Sequence, residues 1–170
     1  MADVLQQLKA VSLYINGEIL LGVIDEIDIP DVELETEEVR LGGMDGYIEI
    51  ETGQQKMECT MKLKGIHKVL ASAWGTGVPD TKVEVRGARE DYDGNVTAVK
   101  YLMTGLATAY RHGDAFQGRG ELPTTELVLN VHTYEHTIDG DVSQKIDFLN
   151  MIREIDGDDR LADIRAAIGA

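Results

Sequence analysis

Val11-Ser12-Leu13-Tyr14-Ile15-Asn16-Gly17-Glu18-Ile19-Leu20-Leu21-Gly22-Val23 sets an Asn-Gly pair between two apolar runs. A two-residue type I′ turn needs positive φ at both central positions, which asparagine and glycine accept most readily, so the stretch predicts a β-hairpin. Outward from it the same strand chemistry recurs. Pro30 closes the next extended segment, and then Val32, Leu34 and Thr36 alternate with Glu33, Glu35 and Glu37. That period of two predicts a strand with one face in the core and the other densely anionic.

Leu41-Gly42-Gly43-Met44-Asp45-Gly46 has too much glycine for a helix or strand interior and reads as a loop. Ile48 and Ile50 then alternate with Tyr47, Glu49 and Glu51, and Met57, Cys59, Met61 and Leu63 alternate with Lys56, Glu58, Thr60 and Lys62. One internal segment has helical spacing: Ile66, Val69, Leu70, Ala73 and Trp74, stopped by Gly75 and Gly77. Asp93-Gly94-Asn95 turns Lys82–Glu90 into Val96–Tyr110, residues 111–124 read as a polar loop, and Asp139-Gly140 returns Thr125–Ile138 into Asp141–Asp147. Leu161, Ile164 and Ile168 predict a short C-terminal helix within Arg160–Ile168. Many extended segments and one central helix predict a mainly β fold, an antiparallel barrel or sandwich with one flanking α-helix.

The 170 residues suit one domain, 1–170, with 149–170 as a C-terminal arm. Apolar residues at 43% allow a core, and no run approaches the roughly 20 apolar residues of a membrane-spanning helix. The start, Met1 to Val11, lacks the basic and then greasy pattern of a signal peptide, so a cytoplasm-like compartment is expected. A lone Cys59 in the apolar register of its strand excludes an internal disulfide and reads as core packing. The net charge is −15, and residues 25–51 hold eleven acids against the single Arg40. Affinity for nucleic acid comes mainly from cations that displace its counterions, so this chain repels DNA where it meets it.

Candidate chemical sites dissolve on inspection. His132 and His136 lie four residues apart on one strand, about 13 Å by strand rise, too far to share a metal, so surface or interface histidines are expected. Asp156-Gly157-Asp158-Asp159 lacks the spaced ligands and terminal glutamate of a calcium loop and reads as a solvated turn. Gly113, Gly118 and Gly120 precede no Gly-Lys-Ser/Thr and make no phosphate cradle. The carboxylates mark no pair with divergent environments for acid–base work, and most read as solvated face positions. Solubility by itself accounts for a net charge of this sign; a sharper reading of the acidic strand face is the border of a channel with anionic traffic.

Several stretches together resemble the major tail tube protein family of contractile-tailed bacteriophages. They are Leu13-Tyr14-Ile15-Asn16-Gly17, Arg40 through Gly46, Met103-Thr104-Gly105-Leu106, Ile146 through Ile152, Asp156 through Leu161, and Ile168-Gly169. Their order and spacing cover nearly the whole chain. Ala170, where a bulkier apolar residue is common, and the acidic stretch Asp25–Glu38 depart from the pattern.

The resemblance implies a tail-tube-like fold in hexameric rings that stack into an inner tail tube, made in the host cytoplasm and carried in the virion, with no covalent chemistry and no cofactor expected. Its implied partners are copies of itself and the sheath, baseplate and tape-measure proteins, with DNA passing unbound and no membrane binding. On this reading Glu33, Glu35, Glu37, Glu49 and Glu51 are expected to face the lumen. Leu41, Gly42, Gly43, Met44, Asp45 and Gly46 are expected to form a ring-stacking loop, and Asn150, Met151, Ile152 and Ile155 an inter-ring strap. The tube of a headless phage-tail-like bacteriocin or secretion particle is the alternative, and a small ligand-binding β-barrel or a carboxylate-dependent hydrolase ranks far below.

Overall fold

The computed structural model describes residues 5–113 and 120–169. In chain order its elements are β1 (Gln6–Ile15), β2 (Glu18–Leu20), β3 (Ile24–Asp28), β4 (Leu34–Val39), β5 (Ile48–Gln54), β6 (Met57–Lys64) and α1 (Lys68–Ala73). They continue with β7 (Thr81–Asp91), β8 (Val96–His112), β9 (Thr124–Ile138), β10 (Asp141–Asp147), β11 (Ile152–Ile155), β12 (Asp158–Asp159) and α2 (Ala162–Ala167). Asn16 and Gly17 have φ of 50° and 85°, as the type I′ reading requires, and Asp139-Gly140 and Asp156-Gly157 repeat the pattern.

Ten strands form one antiparallel sheet in the order β12-β11-β10-β9-β8-β7-β1-β2, with β6 joining β9 to β3. The sheet branches along β9, whose free edge is shared: β6 pairs with Thr124–Val131 and β10 with Thr133–Ile138. At the fork the β8–β9 register jumps from Thr104↔Thr133 to Gly105↔Val131, which leaves His132 as an extra residue. Bulges of this kind bend a strand and sharpen its twist. Here the bend folds the sheet over itself, so the architecture is sandwich-like and the barrel of the sequence reading does not close. Gly105 permits the bend, since a Cβ there would lie 2.0 Å from the Asn130 carbonyl oxygen. A second jump, between Ala107 and Ala109, leaves Thr108 extra on β8, and its carbonyl accepts the Trp74 indole N–H at 3.3 Å.

Leu13, Ile15, Val83, Met103, Leu127, Leu129 and Val131 fill the space between the layers, together with Met57, Cys59, Met61 and Leu63 of β6. Helix α1 adds Val69, Leu70 and Ala73. It is shorter than its sequence pattern, and the outer members of that pattern, Ile66 and Trp74, stay about half exposed at 53% and 51%. Positive φ at Gly65 and Gly75 bounds it on both sides.

The structure departs from the sequence reading at residues 32–54 and 111–124, and it adds detail to the C-terminal arm. β4 and β5 form a separate two-stranded sheet, a ribbon, in which no residue is buried, so the alternation at Val32–Thr36 does not place a face in the core. The expected short C-terminal helix forms at Ala162–Ala167, with Ile164 and Ile168 exposed and no buried residue. Within the C-terminal arm, 149–170, β11 and β12 are short strands. The predicted loop at 111–124 is narrower, because β8 runs to His112 and β9 begins at Thr124; Gly118 lies outside the described residues.

Candidate assembly ribbon and its anchor

The β4–β5 register sorts the ribbon's side chains. Thr36↔Glu51, Glu37↔Ile50, Glu38↔Glu49 and Val39↔Ile48 face one another across the pair. Cross-strand partners share a face and neighbours along a strand do not. One face therefore carries Thr36, Glu38, Glu49 and Glu51, and the other carries Glu35, Glu37, Val39, Ile48 and Ile50. The five glutamates singled out in the sequence divide between these faces, Glu35 and Glu37 on one, Glu49 and Glu51 on the other. Glu33 lies just before β4, where its carbonyl accepts the Gln55 N–H at 2.9 Å. Glu38 belongs to the acidic face and was missed, because reading β4 alone gives no register against β5.

The glycine loop closes the tip of the ribbon. Met44 N–H donates to the Leu41 carbonyl at 3.1 Å, and Arg40 Nε reaches the Met44 carbonyl at 3.4 Å. Arg40 also sits 5.6 Å over the Tyr47 ring. Leu41 and Tyr47 are left two-thirds exposed at this tip, and Gly43 takes φ of 94°.

At the other end the ribbon meets the C-terminal arm. Asn150 is held by the Asp147 carboxylate through its N–H at 3.0 Å and its amide at 2.7 Å. Met151 turns the chain with φ of 51°, and Ile152 and Ile155 enter β11, which pairs with β10. The expected strap is thus partly absorbed into this chain's own sheet. From β11, Arg153 Nη2 pairs with Glu51 Oε1 at 2.5 Å. Sequence reading missed Arg153, although the Asp156-Gly157 pair was a legible sign of one more hairpin.

The charges of the sandwich are arranged differently from those of the ribbon. Arg111, Glu126, Lys62 and Glu26 lie side by side across β8, β9, β6 and β3. Lys62 pairs with Glu26 at 2.5 Å, Arg111 pairs with Glu126, and Lys64 pairs with Asp25 at 3.0 Å. On the ribbon, among the described residues, Glu51 is the one acid with a cationic partner.

The remaining titratable candidates are structural in their surroundings. Burial pushes the Cys59 thiol up to about 12, with Asp28 adding to it. His136 stacks on Tyr101 at 4.5 Å and 3°, and burial, then the charge of Arg89, lowers its pKa. Asp159 is held below the ordinary carboxylate range, chiefly by the Leu161 N–H. Among the described residues no three His, Cys, Asp or Glu side chains converge to hold a metal. The geometry offers two kinds of contact surface: a half-apolar ribbon face and an acidic one.

The comparisons agree on one architecture. A family profile described as phage tail tube protein FII matches residues 5–169. The chain is 29% identical to the tail tube protein of Escherichia phage P2, over 96% of this chain and 97% of that one. It is 27% identical to the major tail tube protein of Serratia phage KSP20, over 96% of each. In fold it is similar to a chain of the sheath-tube complex of an extracellular contractile injection system in the extended state, with a TM-score of 0.56. The identity there is 11%, over 75% of this chain and 87% of the other.

Proposed function

Since the chain belongs to the phage tail tube protein FII family, a structural and not an enzymatic one, we propose that its copies form hexameric rings stacked into the inner tube of a contractile tail. That the chain is a tail tube structural protein of a contractile phage or phage-like injection system follows from the match over residues 5–169. The ribbon is the observation that supports stacking. It forms a sheet of its own, with Val39, Ile48 and Ile50 on a face that no described residue buries. Isolated two-stranded hairpins are marginal in water, and a neighbouring ring supplies the missing layer.

In this reading the tip, Leu41–Gly46, and the face with Ile48 and Ile50 dock against the next ring. Glu38, Glu49 and their neighbours face the bore. Unpaired carboxylates there repel phosphates over about a Debye length of 8 Å, so DNA moves through without sticking. Asn150–Ile155 braces the contact from the arm side. Assembly takes place in the host cytoplasm around a tape-measure protein, on a baseplate and within a sheath. No helix among the described residues is long and apolar enough to cross a membrane.

Electron microscopy of purified protein at rising concentration tests this. Sixfold rings and hollow tubes are the expected result, and persistent monomers overturn it.

A further inference from the structure

We propose that Arg153 is the positioning residue of the ribbon: one guanidinium, anchored in the C-terminal arm, sets the angle at which the ribbon leaves the sandwich. This rests on the reading of the ribbon as the ring-stacking element. The backbone around Arg153 is braced. Its N–H donates to Asp159 Oδ1 at 3.3 Å, its carbonyl accepts the Arg160 N–H at 2.8 Å, and β11 register sets it opposite Ile146. Asp159 is itself held by the Leu161 N–H at 3.1 Å and by Arg165 at 2.8 Å, and Arg165 Nη1 ties back to the Met151 carbonyl at 2.9 Å. From this frame the Arg153 side chain, 14% exposed, reaches the half-exposed Glu51.

Glu51 sits next to the place where the ribbon can bend. The register shifts between Glu35 and Thr36, which leaves Thr52 as the extra residue beside Glu51. Clefts open on both sides of the ion pair. Leu34 and Gln54 border one with Gln144 and Ile155, and Gly53 borders the other with Phe148 and Ile164. Packing therefore leaves the ribbon room to swing, and among the described residues no second ion pair joins it to the body. A guanidinium suits the task because its planar fork fixes direction as well as charge, whereas lysine is a point charge. A mostly buried guanidinium deprived of its carboxylate is costly, which favours the orientation that keeps Glu51 in place.

Pulsed electron resonance between spin labels at Asp45→Cys on the tip and Asp93→Cys on the β7–β8 turn reads the ribbon angle in unassembled protein. Cys59 is buried and stays unlabelled. The parent should give one narrow distance distribution. Arg153→Met and Glu51→Gln should each broaden it about twofold, with the melting midpoint held by the intact core in Arg153→Met, which leaves no unpaired buried charge. Arg153→Lys should fall between, and Glu51→Arg combined with Arg153→Glu should narrow it again. Unchanged distributions in both Arg153→Met and Glu51→Gln overturn the proposal. Absence of tubes from the parent protein overturns the stacking reading alone, because the distance measurement needs no assembly.

Discussion

β6 and the ribbon are written in the same alternating code, yet Met57, Cys59, Met61 and Leu63 vanish from solvent while Leu34, Ile48 and Ile50 stay 45–49% exposed. The difference lies in what stands opposite. β6 is paired on both edges, by β3 and β9, and its inward side chains share one buried cluster with residues of α1 and β1; the ribbon pairs only with itself. Charge follows the same division. Across the sandwich, acids and bases sit next to each other in cross-strand rows, which turns a potential repulsion into local neutrality. The ribbon concentrates acids, and among the described residues Glu51 is the one with a cationic partner. Alternation thus reports that a strand has two unlike faces, and the identity of the covering layer has to come from elsewhere.

That contrast can be broken most severely in the sandwich. Gly105→Val should prevent folding or cost at least about 3 kcal/mol, because its Cβ meets the Asn130 carbonyl at 2.0 Å; urea unfolding or loss of soluble yield reads this. Leu129→Ala, at a fully buried position, should cost roughly 2–5 kcal/mol through the cavity it leaves. The paired test on the ribbon is Ile50→Ala, which should change monomer stability by less than about 0.5 kcal/mol yet suppress tube formation seen by electron microscopy. Equal losses of stability at Leu129 and Ile50 would erase the distinction drawn here.

Smaller effects sharpen the picture. Glu38→Lys with Glu49→Lys should leave tubes intact and lower the efficiency of infection in a phage carrying the substitutions. Normal infection by intact tubes removes these residues from the bore. The gentlest test is acid. The folded pKa of Asp159 lies below its unfolded value, so its contribution is present above the ordinary carboxylate range and is lost as pH falls through the folded value. Amide exchange at Arg153 and Leu161 should quicken there, and Asp159→Asn should remove that pH step.

Much of the ladder was legible from short patterns. Asn16-Gly17, Asp139-Gly140 and the Asp93-Gly94-Asn95 turn marked hairpins because positive φ restricts the residues allowed at those places. The run from Met57 to Leu63 gave its buried face outright. The candidate site was less legible. The loop at Leu41–Gly46 was visible as a loop, but the split of the glutamates between two faces required the register of β4 on β5. Arg153 was invisible as a partner of Glu51, since no local pattern links residues so far apart in the chain.

Local chemistry alone, through turn residues and two-residue periodicity, determined that this chain would be a series of antiparallel strands with an acidic segment near its first third. Three-dimensional packing decided that β9 forks, that the sandwich stays open and that the acidic segment leaves it as a ribbon. The reason is physical: turn geometry and alternation depend on neighbours in sequence, whereas edge pairing, burial and ion pairing depend on which distant residues the fold brings within reach.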